Sequence, residues 1–442
     1  MRLEDLRQRR VGIVGFGREG QSVARKLLNF GPAGPVPVFC ETPPVSPQQW
    51  PEQELDLRVG PLADQPLTEM QVLVCSPGVS IYRPEIQAAK DAGVTLTSST
   101  ALWFAEARSA PVIGVTGTKG KSTTCKLIEH LLVAAGRRVG LGGNIGIPVW
   151  ELPPADVYVV ELSSYQLSLY AGGADVVLLT NLFPEHLDWH GGVDCYYRDK
   201  LNIFRDGFRC GFVNGRDPVT MERTSTMAGL ELFNAEPGWI VRPSGIYHGL
   251  QRRWDYPDWR LKGEHNAANL AAALSAVDAL EVDLQPGVDA LPSFRGLPHR
   301  LQRVGQRHGV QWIDDSISTT PQTTLAALMA LSGQELVVIV GGHDRGLDWE
   351  PVARHLAAHP VRCLVLNGAN RERVSAAMAR YCPDQPLVEC EDLDQAVFQA
   401  QRRRPPSGAI LLSPGAPSYD QFSSFEERGR RFLRLLETAG SD

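Results

Sequence analysis

The chain has 442 residues, a formal net charge of −6 at pH 7 and 21% charged residues. A single hydrophobic core rarely grows that large, so two to three domains are expected, and the mild acidity argues against a dedicated nucleic-acid binder, which shows a basic face. Eight scattered cysteines with no C-x-x-C pair argue against a disulfide framework or structural zinc. The charged start Met1-Arg-Leu-Glu-Asp5 lacks an apolar leader, and no apolar run approaches the roughly 20 residues needed to cross a bilayer. A soluble cytoplasmic protein with no membrane partner is expected.

Three segments rich in alternating strands and helices follow one another, with no internal repeat. The first opens with a strand, Val11–Val14, then Gly15-Phe-Gly17-Arg18-Glu-Gly20 and a helix around Gln21 to Leu28. A second strand ends at Cys40-Glu41, and a third, Val72–Cys75, runs into Ser76-Pro-Gly78. The glycine spacing fits the dinucleotide fingerprint, with Glu41 about 20 residues on at a strand end. Taken alone it suits a dinucleotide-dependent oxidoreductase. It suits equally any nucleoside diphosphate, a UDP-sugar included, or a tight turn with no ligand.

The second segment opens at Pro111. The stretch Gly114-Val-Thr-Gly-Thr-Lys-Gly-Lys-Ser-Thr-Thr124 follows an apolar strand and precedes an amphipathic helix. Such a turn wraps phosphates in backbone N–H groups at a helix N-terminus. Gly117, Thr118, Lys119, Gly120 and Thr123 form the wrap, Lys121 reaches the β/γ-phosphates and the Ser122 hydroxyl suits Mg²⁺. The usual spacing wants its first glycine at Val115, so the match is imperfect. Further strands are expected at Val157–Val160, Val176–Leu179 and Gly211–Val213, which with their helices predict a parallel, doubly wound sheet. Glu161 ends one strand, placed to hold Mg²⁺ or to complement a helix dipole. The next strand exits into Asn181-Leu-Phe-Pro-Glu-His-Leu-Asp-Trp-His190, where His186 is the candidate for a second metal or phosphate contact and His190 suits a core or cap. Lys200, in an expected amphipathic helix from Tyr196 to Phe204, reads as a surface lysine. Gly238 to Trp259 reads as hairpins and loops, and Gly263 to Leu280 as an Ala-rich helix. Asn266 and Asn269 share a face of that helix and suit a purine or a cap.

Pro292 to Pro298 reads as a linker. The third segment has expected strands near Val310–Ile313, Leu336–Val340, Arg362–Leu366 and Ala409–Leu412, and a last helix from about Phe425. Leu297-Pro-His-Arg300, Asp314-Asp315-Ser316, Gly341-Gly-His-Asp-Arg-Gly346 and Ser413-Pro-Gly-Ala-Pro-Ser418 are polar or glycine-rich loops. The last three each follow an apolar strand, at the edge where open α/β sheets bind ligands.

Together, Thr116 to Thr123, Gly143-Asn-Ile-Gly146, Glu161-Leu-Ser-Ser-Tyr-Gln166, Asn181 to His186, His265-Asn266, Leu297 to Arg300, Asp315-Ser316, Gly341-Gly342 and Ser413 to Gly429 resemble the Mur ligases of peptidoglycan synthesis, in particular their MurD-like, glutamate-adding branch. The likeness covers nearly the whole chain. It implies an α/β fold of three domains: a Rossmann-like UDP-binding domain (1–108), a central P-loop ATPase (109–296) and a Rossmann-like, glutamate-binding domain (297–442). It implies that ATP phosphorylates the carboxylate of UDP-N-acetylmuramoyl-L-alanine and that glutamate then attacks the acyl phosphate.

The resemblance also assigns residues. Gly15, Gly17, Arg18, Glu41 and Ser76 match the UDP end, and Asn144 and Ser163 the sugar–peptide. Lys121, Glu161, His186 and Lys200 match the catalytic set. Ser122, Glu161, His186 and Lys200, the last as a carbamate, match the Mg²⁺ ligands. Asn266, Arg300 and Asp315 match nucleotide contacts, and Thr319, Arg345, Ser418 and Phe425 surround the incoming glutamate. Ile317 and Arg345 stand where lysines are common in D-glutamate-adding relatives. Together with Thr100 to Phe104, Phe183 to His190, Gly342 to Trp349 and Ser413 to Ser418, this resembles a branch that adds L-glutamate and hands its product to a separate epimerase. A monomer is expected.

Overall fold

The computed structural model describes residues 1–30, 34–43, 54–106, 108–205, 207–255 and 263–438. The chain forms two compact units, Met1–Phe294 and Arg295–Asp442. The division falls inside the proline-bounded stretch 292–298.

The first unit holds two parallel sheets. The N-terminal one has the spatial order Leu55–Val59, Val36–Cys40, Val11–Val14, Val72–Cys75, Thr95–Thr97. The order reverses at Val11–Val14, so the crevice at its carboxyl end lies between Gly15 and Ser76, where Ser76 Oγ donates to Gly15 O at 2.7 Å. The helix Arg18–Asn29 leaves from this crevice.

The second sheet has six parallel strands in the order Leu230–Phe233, Cys210–Asn214, Val176–Leu179, Val112–Thr116, Val157–Glu161, Val139–Gly143. Strands buried on both faces read as continuous apolar runs, which is why Val176–Leu179 is fully buried at every position. The helices Lys121–Ala134 and Glu264–Asp278 pack on one face, where Leu127, Ile128, Leu131, Leu270 and Leu274 join Ile113, Val115 and Val159 in one core. Each such side chain contributes about 1.5–3 kcal/mol by leaving water. A three-stranded antiparallel meander, Trp239–Arg242, Gly245–His248 and Gln251–Trp254, follows. The remainder of the expected hairpin stretch, to Trp259, lies outside the described residues.

The second unit is a six-stranded sheet: Gln302–Arg307, Val310–Asp314, Gly408–Leu412, Leu336–Val340, Cys363–Leu366, Leu387–Glu389. Only the Gln302–Arg307 strand is antiparallel. The loops after Asp314, Val340 and Leu412 therefore leave one edge together.

All eight cysteines are free. No described helix is long and apolar enough to cross a membrane.

Candidate functional site

The phosphate loop departs from the usual spacing for a local reason. Val115 and Thr116 stay in the strand, both fully buried, and Val115 pairs with Glu161. The chain turns only at Gly117, at φ +143°, where a Cβ would collide with Thr180 Oγ1. Gly120, at φ +86°, then caps the helix Lys121–Ala134. Asn181 braces the loop from the neighbouring strand end: its Oδ1 accepts from Lys119 N at 2.9 Å and its Nδ2 donates to Lys119 O at 3.0 Å. Thr118 is buried, its hydroxyl 3.0 Å from the Tyr196 hydroxyl. Exposed Lys119 pairs with Glu185. Ser122 is half-buried and Thr123 buried in the first helical turn.

Two lysines converge on one carbonyl. Lys121 Nζ donates to Gly117 O and Thr118 O, each at 3.0 Å. Lys200 Nζ donates to Gly117 O at 2.7 Å. Lys200 is 2% exposed, so its reading as a surface lysine is wrong. The helix Val193–Leu201 packs its Lys200 face inward against the loop instead of presenting it to water. Burial, then the charge of Lys121, pushes the Lys200 amine well below its ordinary range. Burial lowers Lys121 as well, opposed by Glu161.

Glu161 is 1% exposed. Its Oε1 accepts from Asn144 Nδ2 at 2.6 Å, and its Oε2 is buried without a hydrogen-bond partner among the described residues. A bare carboxylate oxygen is costly to bury, and a hard cation relieves that cost. No described group of three or more His, Cys, Asp or Glu could hold a metal. A lone carboxylate oxygen suits Mg²⁺, which takes one or two carboxylates plus substrate phosphates and water.

His186 begins a short helix at φ +55°, with its side chain 50% exposed. Burial chiefly lowers its pKa, which favours the neutral, ligating imidazole. His190 is a core residue: fully buried, it bonds Asp199 and Ser164.

Beside this edge lies a cavity of about 260 Å³ lined by Gly15, Gly17, Arg18, Glu19, Ser76 and Asn144, among others. Arg18 Nη1 donates to Gly146 O at 2.9 Å. Ser163 caps the helix Ser164–Leu167 in a reciprocal box with Gln166. Glu41 stands at its strand end as expected, but Arg83 grips both its oxygens, at 2.7 and 2.9 Å. A ribose hydroxyl at that carboxylate would share it with the Arg83 guanidinium. Glu19, bonded to Gln166 and Thr100, is a cavity residue that sequence reasoning passed over although it lies inside the glycine fingerprint.

Asn266 is half-buried on the helix Glu264–Asp278, one turn before Asn269, whose Oδ1 accepts from Thr124 Oγ1 at 3.4 Å.

In the second unit, Arg300 is exposed. Asp315 is 2% exposed and accepts from Ser318 Oγ at 2.6 Å, Ser413 Oγ at 2.7 Å and Leu301 N at 3.1 Å. Burial lifts its pKa to about 6. It is thus an internal brace behind Arg300 rather than an exposed contact. Thr319 and Phe425 are half-buried and Arg345 exposed. Ser418 Oγ is buried without a partner among the described residues. Arg428, unassigned from sequence, is 3% exposed and donates to Ser316 Oγ, Ser316 O and Ala416 O at 2.9–3.0 Å, pinning two of the edge loops to the last helix. The quoted tail Phe425–Gly429 contained it, but no local signal marks an arginine as buried.

Three family models match in chain order: the Mur ligase MurD-like N-terminal domain over residues 9–98, the Mur ligase middle domain over 115–277 and the Mur ligase glutamate ligase domain over 299–416. The chain is 41% identical to the UDP-N-acetylmuramoyl-L-alanine--L-glutamate ligase of Xanthomonas euvesicatoria pv. vesicatoria over 98% of this chain and 96% of that one. It is 40% identical to the protein of the same name from Salinispora tropica over 100% of both. Among solved structures, the UDP-N-acetylmuramate-alanine ligase MurC of Thermotoga maritima shares the fold at TM-score 0.59 and 17% identity, covering 98% of this chain and 100% of that one. E. coli FolC in complex with ADP does so at TM-score 0.56 and 21% identity, covering 77% of this chain and 92% of that one. With its glycine turns, paired lysines and bare carboxylate in family order, the chain belongs to the Mur ligase family.

Proposed function

We propose that this ATP-dependent, amide-forming ligase joins L-glutamate to UDP-N-acetylmuramoyl-L-alanine, in peptidoglycan precursor synthesis. One observation carries the reading furthest. Asn144 lines the cavity beside Gly15 and Gly17 and also bonds Glu161, which faces the phosphate loop, so a nucleotide-sugar acid and a triphosphate meet at one carboxylate.

In this reading the muramoyl-alanine carboxylate attacks the γ-phosphorus and ADP leaves. The glutamate amine then attacks the acyl carbon, loses a proton and expels phosphate. Both steps bring anions together, so catalysis is positioning plus charge stabilisation. Lys121 supplies a cation at the transferring phosphoryl group. Ser122 and Glu161 would hold one Mg²⁺, and His186 with carbamylated Lys200 a second; when bound, the ions screen the phosphate charge. A carbamate forms from a neutral amine, and burial favours that form of Lys200. Asn266 and Arg300 contact the nucleotide, with Asp315 bracing Arg300's loop. Gly15, Gly17, Arg18 and Ser76 take the UDP end, and Asn144 and Ser163 the sugar–peptide.

The expected division is a UDP domain to about residue 108, an ATPase to about 296 and a glutamate domain beyond. Thr319, Arg345, Ser418 and Phe425 take glutamate; the unpartnered Ser418 Oγ suits one of its carboxylates. Ile317 and Arg345 in place of lysines, and the L-glutamate ligase names of the relatives, support L-glutamate over D-glutamate. An epimerase consuming the product, a cytoplasmic site and a monomeric state complete the reading.

The test is phosphate release from ATP, Mg²⁺ and UDP-N-acetylmuramoyl-L-alanine with each glutamate enantiomer separately. Release with L-glutamate alone is expected. Release only with D-glutamate overturns the enantiomer, and release with neither overturns the ligase.

A further inference from the structure

Four polar side chains in the first unit form an unbroken hydrogen-bonded chain, three of them buried and Tyr82 half-buried. Ser164 Oγ lies 2.9 Å from His190 Nε2, and His190 Nδ1 lies 2.6 Å from Asp199 Oδ2. The Tyr82 hydroxyl donates to both Asp199 oxygens, at 2.8 and 2.9 Å. Ser164 and Asp199 are 2% exposed and His190 0%. One assignment satisfies every group: a carboxylate accepts from Nδ1–H and from the phenol, and neutral Nε2 accepts from the serine hydroxyl. Burial lifts the Tyr82 phenol to about 12, so it remains a donor. A serine–histidine–aspartate set could suggest a nucleophile, but Ser164 is too enclosed to meet a substrate.

What distinguishes the chain is where its members sit. Ser164 follows Glu161 by three residues, His190 follows His186 by one helical turn, and Asp199 directly precedes Lys200. Ser164, His190 and Asp199 thus each share a short stretch of backbone with a different residue of the metal set proposed above. Tyr82 comes from the N-terminal sheet's side, just after Ser76 to Val79, which line the cavity. The same segment is docked twice more: Ser80 Oγ donates to Trp189 O at 2.5 Å, and the Tyr82 ring meets Trp189 edge-on at 6.0 Å.

We propose that Tyr82, Asp199, His190 and Ser164 are positioning residues that hold Glu161, His186 and Lys200 in mutual register, and that Tyr82 ties this register to the sheet carrying the nucleotide-sugar cavity. The proposal rests on the metal reading of Lys200 and His186. Removing any member takes a hydrogen bond from a buried polar atom of its neighbour, so the network acts as a unit. Groups that orient ligands from behind shift metal affinity more than nucleotide affinity.

The test titrates Mn²⁺ into the protein holding AMP-PNP, read by electron paramagnetic resonance, with AMP-PNP affinity and thermal midpoint measured alongside. Tyr82→Phe removes one hydroxyl and little volume. It is expected to weaken the looser of two bound ions about tenfold, with AMP-PNP affinity unchanged; Asp199→Asn does the same more strongly. If Tyr82→Phe binds both ions as the parent does, or loses ion and nucleotide affinity in parallel, the network is only structural and the proposal falls. Lys200→Ala separates the two failures. Should that variant also bind both ions normally, the metal reading fails and takes the proposal with it; should it lose the second ion while Tyr82→Phe does not, only the positioning role is lost.

Discussion

The first unit contains two strand–glycine–helix turns with the same backbone plan and different chemistry. At Gly15 to Gly20 the turn opens on a cavity whose polar lining is backbone, Arg18, Glu19, Ser76 and Asn144. At Gly117 to Thr123 the turn is closed around its own lysine, braced by Asn181 and backed by the buried Lys200. Backbone N–H groups at a helix start suffice to hold a diphosphate that does not react. Moving a phosphoryl group additionally needs charge aimed at the transition state, which in the proposed reading Lys121 supplies at the second turn.

Lys121→Ala breaks this comparison hardest. It is expected to lower kcat by about 10³-fold with an unchanged thermal midpoint, because the partners of Lys121 Nζ among the described residues are loop carbonyls. Arg18→Ala, at the matching place in the first turn, is expected to raise KM for the nucleotide-sugar and leave kcat alone, the sign of binding shared by ground and transition states. Equal kcat losses would mean that the turns do not divide the work.

The glycines sharpen the same contrast. Gly117→Ala places a Cβ into Thr180 at a positive φ and is expected to lose nucleotide binding and about 1–3 kcal/mol of stability. Gly17 has φ −71° and nothing within 4 Å of an added Cβ. Gly17→Ala should fold as the parent does and show its effect only as a higher KM for the nucleotide-sugar, measured beside its melting curve. A destabilised Gly17→Ala would show that the first turn, too, is closed. Smaller again is Lys200→Ala, expected to be slow and partly restored by formate or acetate, which would stand in for the carbamate of the proposed reading; unchanged kinetics would remove Lys200 from the site.

These contrasts also show what could be read from sequence. Both turns were legible because their residues are consecutive: a strand, spaced glycines and a helix start announce themselves within about ten positions. Glu161 was legible because it ends an apolar strand. The short edge strands Thr95–Thr97, Val139–Gly143 and Leu387–Glu389 were not, since three to five residues without strong periodicity look like loop. Lys200 was misread because its helix has the same local pattern whether that lysine faces water or not. What buries it is Gly117, 83 positions earlier in the chain. Tyr82 and Asp199, 117 positions apart, carry no signal at all until the fold brings them together.

Glu19 and Glu161 give the last and smallest test, since both are enclosed carboxylates beside the same cavity with opposite relations to it. Glu161 has a bare oxygen for a cation, whereas Glu19 has its oxygens taken by Gln166 and Thr100. Burial outweighs those bonds and lifts Glu19 from 4.5 to about 7. Between those two values the folded chain holds a proton that the unfolded chain has released, so stability falls as pH rises through the window. The contribution is whole below about 4.5 and gone above about 7. Glu19→Gln cannot ionise, so its melting temperature should gain on the parent's across that window and hold a constant offset above it. Parallel melting curves from acid to neutral pH would mean that Glu19 is solvated and that the cavity's first turn is open to water.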